Sequence, residues 1–394
     1  MTFLVLLILA FAAVVPGFVL GWFNLCRYRR SPSVGTATHT SVSICIPARN
    51  EASNIEACVR SALAAGDVEG APKLEVLVYD DQSDDGTPEI LQRLAAEDSR
   101  VRLVPTEPLP DGWNGKQHAC ERMGRSATTE WLLFTDADVR FKPDVLRRSM
   151  LAQVALKSDL ISTVPHEETG SIGELMLIPL INWVLLCYLP FGMMRRSLRP
   201  SASAAVGQFI LCRRSAWEHS GGHAAFRDTM HDGVKMPRAF RTAGHRTDLF
   251  DGTDLVSCRM YQGFKETWQG FAKNAYEGLG SMGLLIMVTV LHVVGHLMPW
   301  ALLAWALADP SLRRVGILVP LLILLCMPFL QRAIMAWRFR QAPLGVLLHP
   351  ISIACLIGVQ WWSYKLDRTG NRHWRGRNAF GVPVQTEHVS GIQE

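Results

Sequence analysis

The sequence predicts an α/β domain with a mostly parallel sheet, held between membrane-crossing helices. Three observations lead there. Short apolar runs alternate with helical stretches from residue 41 to about residue 260. Two of those runs end in groups of carboxylates, at 80–85 and 136–138. Long uncharged stretches lie toward both ends of a 394-residue chain that is 49% hydrophobic.

A mean hydropathy of +0.14 is high for a soluble enzyme. Lys and Arg number 40 against 35 Asp and Glu, and the arginines gather beside apolar runs. That is the pattern of membrane-flanking charge, not of nucleic-acid binding. The nine cysteines are scattered without metal or redox spacing, which suits reduced, buried thiols in a domain facing the cytosol.

Residues 2–25 carry no charge and run into Arg27, Arg29 and Arg30. A signal peptide has its charge on the other side of a shorter core, so 1–26 reads as a retained anchor with the arginines on the cytoplasmic side. The Ser-, Pro-, Gly- and Thr-rich stretch 31–40 is a linker. The globular domain spans 41–275. Its strands are expected at 41–46, ended by Pro47, and at 74–79, 101–105 and 131–135. Helices are expected from Asn50 or Ser53 to about 64, from Thr87 or Pro88 to about 96, and over 116–126. In such a sheet the site lies at the carboxyl ends of the strands.

The apolar stretch 172–194 is broken by Glu174, Pro179, Asn182 and Pro190 and is read as helices lying in the membrane interface. Three further stretches, 281–306, 315–336 and 343–363, have spanning length, giving a transmembrane region at 281–363 with two or three helices. Three crossings would put the basic polar tail, 364–394, outside, whereas its charge favours the cytoplasm. A re-entrant or partly inserted segment reconciles the two.

The chemistry-bearing residues follow the strands. Pro47, Ala48, Arg49, Asn50 and Glu51 form the turn after the first strand, where a nucleotide would lie; a helix cap alone also explains Asn50. Asp80 ends the second strand, placed to accept a uracil imide proton or a ribose hydroxyl, although 81–85 also reads as a plain acidic turn. Asp136 and Asp138 follow a buried Leu-Leu-Phe run, and two carboxylates held so close repel unless a cation relieves them. Asp138 alone or both would ligate a divalent metal, Mg2+ or Mn2+, against a sugar diphosphate. Lys116, at a helix start in Gly112-Trp113-Asn114-Gly115-Lys116, faces phosphate oxygens in this reading, although the P-loop spacing is absent. Asp232 would be the base that deprotonates an acceptor hydroxyl, with His231 orienting it and Asp228 as the alternative; an N-cap is the ordinary reading of Asp232. Arg259, Trp268 and Lys273 belong to an aromatic and basic segment that is either an interfacial platform or a flap closing over the diphosphate.

Taken in order and spacing, Pro47-Ala48-Arg49-Asn50-Glu51, Asp80-Asp81-Gln82-Ser83, Gly112-Trp113-Asn114-Gly115-Lys116 and Thr135-Asp136-Ala137-Asp138 resemble a membrane-anchored family 2 glycosyltransferase. The likeness is greatest to the branch acting on carotenoids, hopanoid-associated lipids and similar isoprenoids. It covers about 41–275. It implies a GT-A type nucleotide-diphospho-sugar transferase fold, nucleotide binding by Pro47, Glu51 and Asp80, a divalent metal on Asp138, and a catalytic base at Asp232. The family's Glu-Asp or Asp-Asp pair is His231-Asp232 here, and the Gln-x-x-Arg-Trp signature of processive synthases is absent. The implied reaction is inverting transfer of one sugar, a hexose from a UDP-sugar, to the hydroxyl of an isoprenoid lipid, in a bacterial plasma membrane with the catalytic domain cytosolic. A polyprenyl-phosphate glycosyltransferase or small processive synthase is the alternative enzyme. A transporter or structural membrane protein is the non-enzyme alternative, and its membrane segments hold few ionisable groups for an ion path.

Overall fold

The computed structural model describes residues 1–37 and 39–370, and two short strands at His373–Trp374 and Arg377–Asn378. The remainder of the expected basic tail, Arg375 and Gly376 included, lies outside the described residues.

In chain order the strands are β1 (Ser41–Ala48), β2 (Lys73–Asp80), β3 (Val101–Leu103), β4 (Trp131–Phe134), β5 (Val139–Phe141), β6 (Leu160–Ser162), β7 (His166–Glu167), β8 (Ile210–Arg213), β9 (Thr247–Leu249) and β10 (Val256–Cys258). Seven form one sheet in the order β3-β2-β1-β4-β8-β6-β9, and β5, β10 and β7 form a small second sheet beside it. β1 to β4 are parallel, β8 alone runs against β4 and β6, and β6 and β9 are again parallel. Alternation drives the layering. Val42, Ile44 and Ile46 of β1 enter the core on one face of the sheet, while Cys45 enters the core on the other. Burial of each such branched side chain contributes about 1.5–3 kcal/mol.

Pro47 lies within β1 rather than ending it. Thr135 donates to the Cys45 carbonyl at 3.2 Å, so odd-numbered residues of β1 face β4. Position 47 is the next on that side, beyond the end of β4, so its missing N–H costs the ladder nothing. Helices α1 (Thr2–Arg27), α2 (Ile55–Gly66), α3 (Thr87–Glu97), α4 (Gly115–Ser126) and α5 (Val145–Leu156) follow the expected alternation. The cap expected for α2 is corrected: Asn54, not Asn50 or Ser53, is its N-cap residue. Asn50 instead adopts a left-handed conformation at φ 54°.

The stretch 172–194 breaks into α6 (Ile172–Leu177), α7 (Leu180–Tyr188) and α8 (Phe191–Arg196), none long enough to span a bilayer. Then come α9 (Arg214–His219), α10 (Asp232–Thr242), α11 (Gly263–Ala272) and α12 (Ala275–Leu279). Toward the C-terminus lie α13 (Met282–His292), α14 (Met298–Ala308), α15 (Val315–Arg338), α16 (Leu344–Leu347) and α17 (His349–Arg368).

Three stretches among the described residues are long and apolar enough to cross a membrane: Thr2–Arg27, Met282–Ala308 and Val315–Arg338. At 1.5 Å per residue the 26 residues of α1 reach about 39 Å, more than a hydrocarbon layer of roughly 30 Å. These helices bundle through one apolar stripe. Phe3, Leu7, Ala10 and Val14 of α1 meet Leu302 and Ala306 of α14, and Leu321, Leu324 and Leu325 of α15. Polar side chains tie the bundle to the domain. Asn24 donates to the Leu186 and Leu189 carbonyls, both at 2.7 Å, and Gln331 accepts from the Trp183 indole at 3.2 Å. The stretch 343–363 is taken up by α16 and by α17, which packs on α11 and α12 of the domain.

Candidate active site

The carboxyl ends of β1 and β4 open into a cleft of about 540 Å3. Its walls include Pro47, Arg49, Glu51, Lys116, Asp136, Asp138, His231, Asp232 and Lys273, so residues spread over more than two hundred positions share one space.

Two turns stand at one side of it. Asn50 donates its N–H to the Ser83 hydroxyl at 2.9 Å, and its side-chain oxygen accepts from the Asp84 N–H at 3.0 Å. Asn50 and Gln82, at φ 54° and 56°, are both left-handed, a conformation that non-glycine residues adopt at about 1 kcal/mol or more. The reciprocal bonds hold it. Arg49 donates to the Asp81 and Gln82 carbonyls, fastening the end of β1 to the acidic turn. Asp80, at the end of β2, accepts from the Ser83 hydroxyl at 2.5 Å. Asp80 and Ala48 pair across the two strand ends and stand outside the cleft wall.

At the centre the Lys116 ammonium lies 2.7 Å from Asp136 and 2.9 Å from Asp232. Asn114 caps α4, its side chain accepting from the Lys116 N–H at 3.1 Å, which fixes where the lysine starts. Burial alone would lower the Lys116 pKa, but the two carboxylates carry it well above the ordinary value. Burial would raise Asp232, and Lys116, His231 and His223 together bring it below the usual carboxylate range. Asp232 opens α10, where the helix end also favours its charge. Gly207 lets it sit there: a Cβ at 207 would come 2.5 Å from Asp232 Oδ1. His231 is held below its usual pKa, first by burial. Asp228 is exposed and outside the wall.

Asp138 is partly buried, and its Oδ1 is shut off from solvent without a hydrogen-bond partner. Burial, then the charges of Asp136 and Glu51, push its pKa up to about 7. Glu167, on β7, is a further buried acid in this field, raised well above its usual value by burial first and Asp138 next. It lies in a run without a motif, and only the pairing of Glu167 with Cys258 across β7 and β10 brings it to Asp138. An orphaned buried oxygen amid like charges suits a hard divalent cation. Among the described residues, however, no three His, Cys, Asp or Glu side chains converge on one metal position, so any ion here takes part of its shell from elsewhere.

Helix α11 divides the segment that followed in sequence. Glu266, Gln269, Gly270 and Lys273 recur at helical spacing and face the cleft. Trp268 lies on the other face, its ring over Gly358 of α17 where a Cβ would come within 2.7 Å. Arg259 stands outside the wall, 4.0 Å from Glu174.

Residues 43–221 match the model of the Glycosyl transferase family 2 domain. The chain is 25% identical over 281 residues to a 4,4'-diaponeurosporenoate glycosyltransferase of Staphylococcus haemolyticus, covering 68% of this chain and 70% of that one. A protein of the same name from Staphylococcus aureus is 25% identical over 261 residues, with 64% and 65% covered, so the match spans just under two thirds of its length. Among solved structures, the mannosyltransferase PcManGT from Pyrobaculum calidifontis in complex with GDP-Man and Mn2+ superposes with a TM-score of 0.53 at 20% identity, covering 91% of this chain and 99% of that one. The shared fold is GT-A.

Proposed function

The chain is a glycosyltransferase built on a family 2 domain, and from that premise we propose that it moves one hexose, with inversion, from a UDP-sugar to the hydroxyl of an isoprenoid lipid of carotenoid type. One observation carries the reading: a buried carboxylate that can take a proton, Asp232, faces the Asp136 and Asp138 pair across the Lys116 ammonium. A donor held at that pair would have the base on the far side of Lys116, which supports a displacement from behind the leaving group.

The rim of Pro47, Arg49 and Glu51 with Asp80 holds the nucleotide, and Asp80 favours uracil. Asp138 and Asp136 would hold Mg2+ or Mn2+, which when bound offsets the charge growing on the leaving diphosphate. The chain's own groups do the rest. Lys116 keeps Asp232 ionised in the cleft without donor. A diphosphate, with more charge, draws the ammonium toward itself and restores the basicity of Asp232. Lys273 closes the wall over the same phosphates, while Arg259 and Trp268 brace the segment against Glu174 and α17. Positioning and electrostatics supply most of the rate.

Membrane placement fits a soluble donor and a greasy acceptor. With the arginines at 27–30 cytosolic, α1 leaves the domain inside, and the two further spans at 282–308 and 315–338 return α16 and α17 to the same side. The three short helices of 172–196 then lie in the interface of a bacterial plasma membrane, beside the lipid's entry.

A second reading has an acceptor that is already an anion. The low pKa of Asp232 favours it, and the compound named for the Staphylococcus relatives is a carboxylate. Asp232→Asn separates the two. For a hydroxyl acceptor the variant binds UDP-sugar normally and transfers about 100- to 10,000-fold more slowly. Transfer at near the original rate would reject the base assignment and favour the anionic acceptor.

A further inference from the structure

A second large cavity, about 580 Å3, lies at the base of α1 and shares no wall residue with the active-site cleft. Its rim brings together Arg27, Arg29 and Arg30 from the end of α1, Arg195 and Arg196 from the end of α8, and Arg246 from the turn before β9. Asp248 is the one acidic residue in the wall, and Arg195 already binds it at 2.8 Å. Arg30 reaches Asp251 only at 3.7 Å, and that carboxylate is held more closely by Arg338 at 2.8 Å. The Arg246 backbone N–H donates to Asp159 at 3.2 Å, but the guanidinium groups of Arg29, Arg196 and Arg246 form no ion pair with a carboxylate among the described residues.

Charge beside a membrane helix orients the helix without needing a cavity. That accounts for Arg27, Arg29 and Arg30. It does not account for Arg246, which comes from the globular domain, nor for the concave space that four chain segments close around. The floor is apolar, with Ala152, Leu156, Met194 and Phe250, and exposed Met193 and Leu198 flank it at 42% and 41% exposure. The space therefore offers cations around an oily base at the level where α1 leaves the hydrocarbon. A phosphate with acyl chains behind it has that shape and polarity.

We propose that this cavity binds the phosphate of an anionic membrane lipid, apart from donor and acceptor. Bound there, the headgroup bridges α1, α8 and the edge of the sheet at β9, and sets the domain's stance on the bilayer.

The test uses the full chain in nanodiscs of phosphatidylcholine doped with phosphatidylglycerol, with retained lipid counted by native mass spectrometry. The chain should hold phosphatidylglycerol selectively. Arg29→Gln/Arg196→Gln/Arg246→Gln should weaken retention about 100-fold, at roughly fivefold per arginine, while Arg93→Gln, on a distant face, leaves it unchanged. Arg246→Gln alone should give about a fivefold loss, which keeps the test open should the triple variant not fold. In pure phosphatidylcholine discs, inorganic phosphate should fail to occupy the site at millimolar concentration. Equal retention by both arginine variants would overturn the proposal, and saturation by inorganic phosphate would assign the site to a soluble anion instead.

Discussion

The two large cavities differ in the sign of the ionisable groups that line them. In the cleft, Lys116 is committed to Asp136 and Asp232, and Arg49 to the acidic turn. What remains there is a pair of carboxyl groups with buried oxygens, Asp138 and Glu167, whose raised pKa values record how strongly the site resists further negative charge without a cation. At the base of α1 the reverse holds, with arginines on the rim and one acid already paired. Carboxyl groups crowded away from solvent lose their charge unless a cation relieves them, whereas the exposed Arg29, Arg196 and Arg246 stay charged and open to a ligand, so the difference indicates what each space receives. The cleft takes a cation together with a diphosphate; the basin takes an anion.

The largest expected effect comes from removing the cation that divides the cleft. Lys116→Met should lower kcat/KM about 100- to 1,000-fold, because Asp136 and Asp232 lose their common partner. Steady-state kinetics with a UDP-sugar would measure it. Lys116→Arg should not restore the rate, since a planar guanidinium cannot occupy the same point between two carboxylates. Lipid retention at the basin should be unchanged in both. A loss of retention would mean that the two spaces are not independent.

Next is Gly207→Ala. The added Cβ must move Asp232, whose Oδ1 would stand 2.5 Å away. A displacement near 1 Å costs about 100-fold in rate, with UDP binding unaffected. Wild-type turnover would show that the base lies elsewhere. Glu167→Gln should act more gently. It removes an acid behind Asp138, and Mn2+ affinity, measured by titration calorimetry in the presence of UDP, should weaken about tenfold. Unchanged affinity would place Glu167 among purely structural residues.

What could be foreseen from the sequence divides along the same line. Much of the cleft wall was legible because its parts are local: a strand ends, and within a few residues come Pro47, Arg49 and Glu51, or Asp136 and Asp138; Ala48 and Asp80, expected with them, stand outside it. Parallel strands then bring those ends together without further information. Glu167 was not legible, since its strand has two residues and its position depends on pairing with β10. The basin was hidden for a similar reason. Arg27 to Arg30 and Arg195-Arg196 each read as the flank of an apolar run, and nothing in either segment announces that they meet, or that Arg246 joins them. In the segment 259–274 the composition was plain but the rotation was not. Helical periodicity sends Gln269 and Lys273 to the cleft and Trp268 to α17.

The smallest effect sharpens the comparison through pH. His223 is buried behind the cleft, where its Nδ1 accepts a hydrogen bond from the Trp217 indole at 3.1 Å. That bond requires an unprotonated nitrogen. Burial, partly offset by Asp232 and reinforced by Lys116, lowers its pKa to about 3, against about 6.5 for a free histidine. The unfolded chain therefore binds a proton that the folded one refuses, and stability falls as pH drops from about 6.5 toward 3. The loss contributed by this one group should be on the order of a few kcal/mol across that window, read from denaturant midpoints at several pH values. In His223→Gln, whose amide oxygen can keep the indole bond, the acid slope should shrink. In the basin, burial raises Asp248 above the usual carboxylate range while Arg195 holds it back, and the arginines around it stay charged throughout. Lipid retention by the still-folded protein should thus be flat from pH 8 to pH 5.5, while the stability of the fold around the cleft already declines. Retention falling in step with stability over that range would tie the basin to the cleft's protonation and remove the separation argued between them.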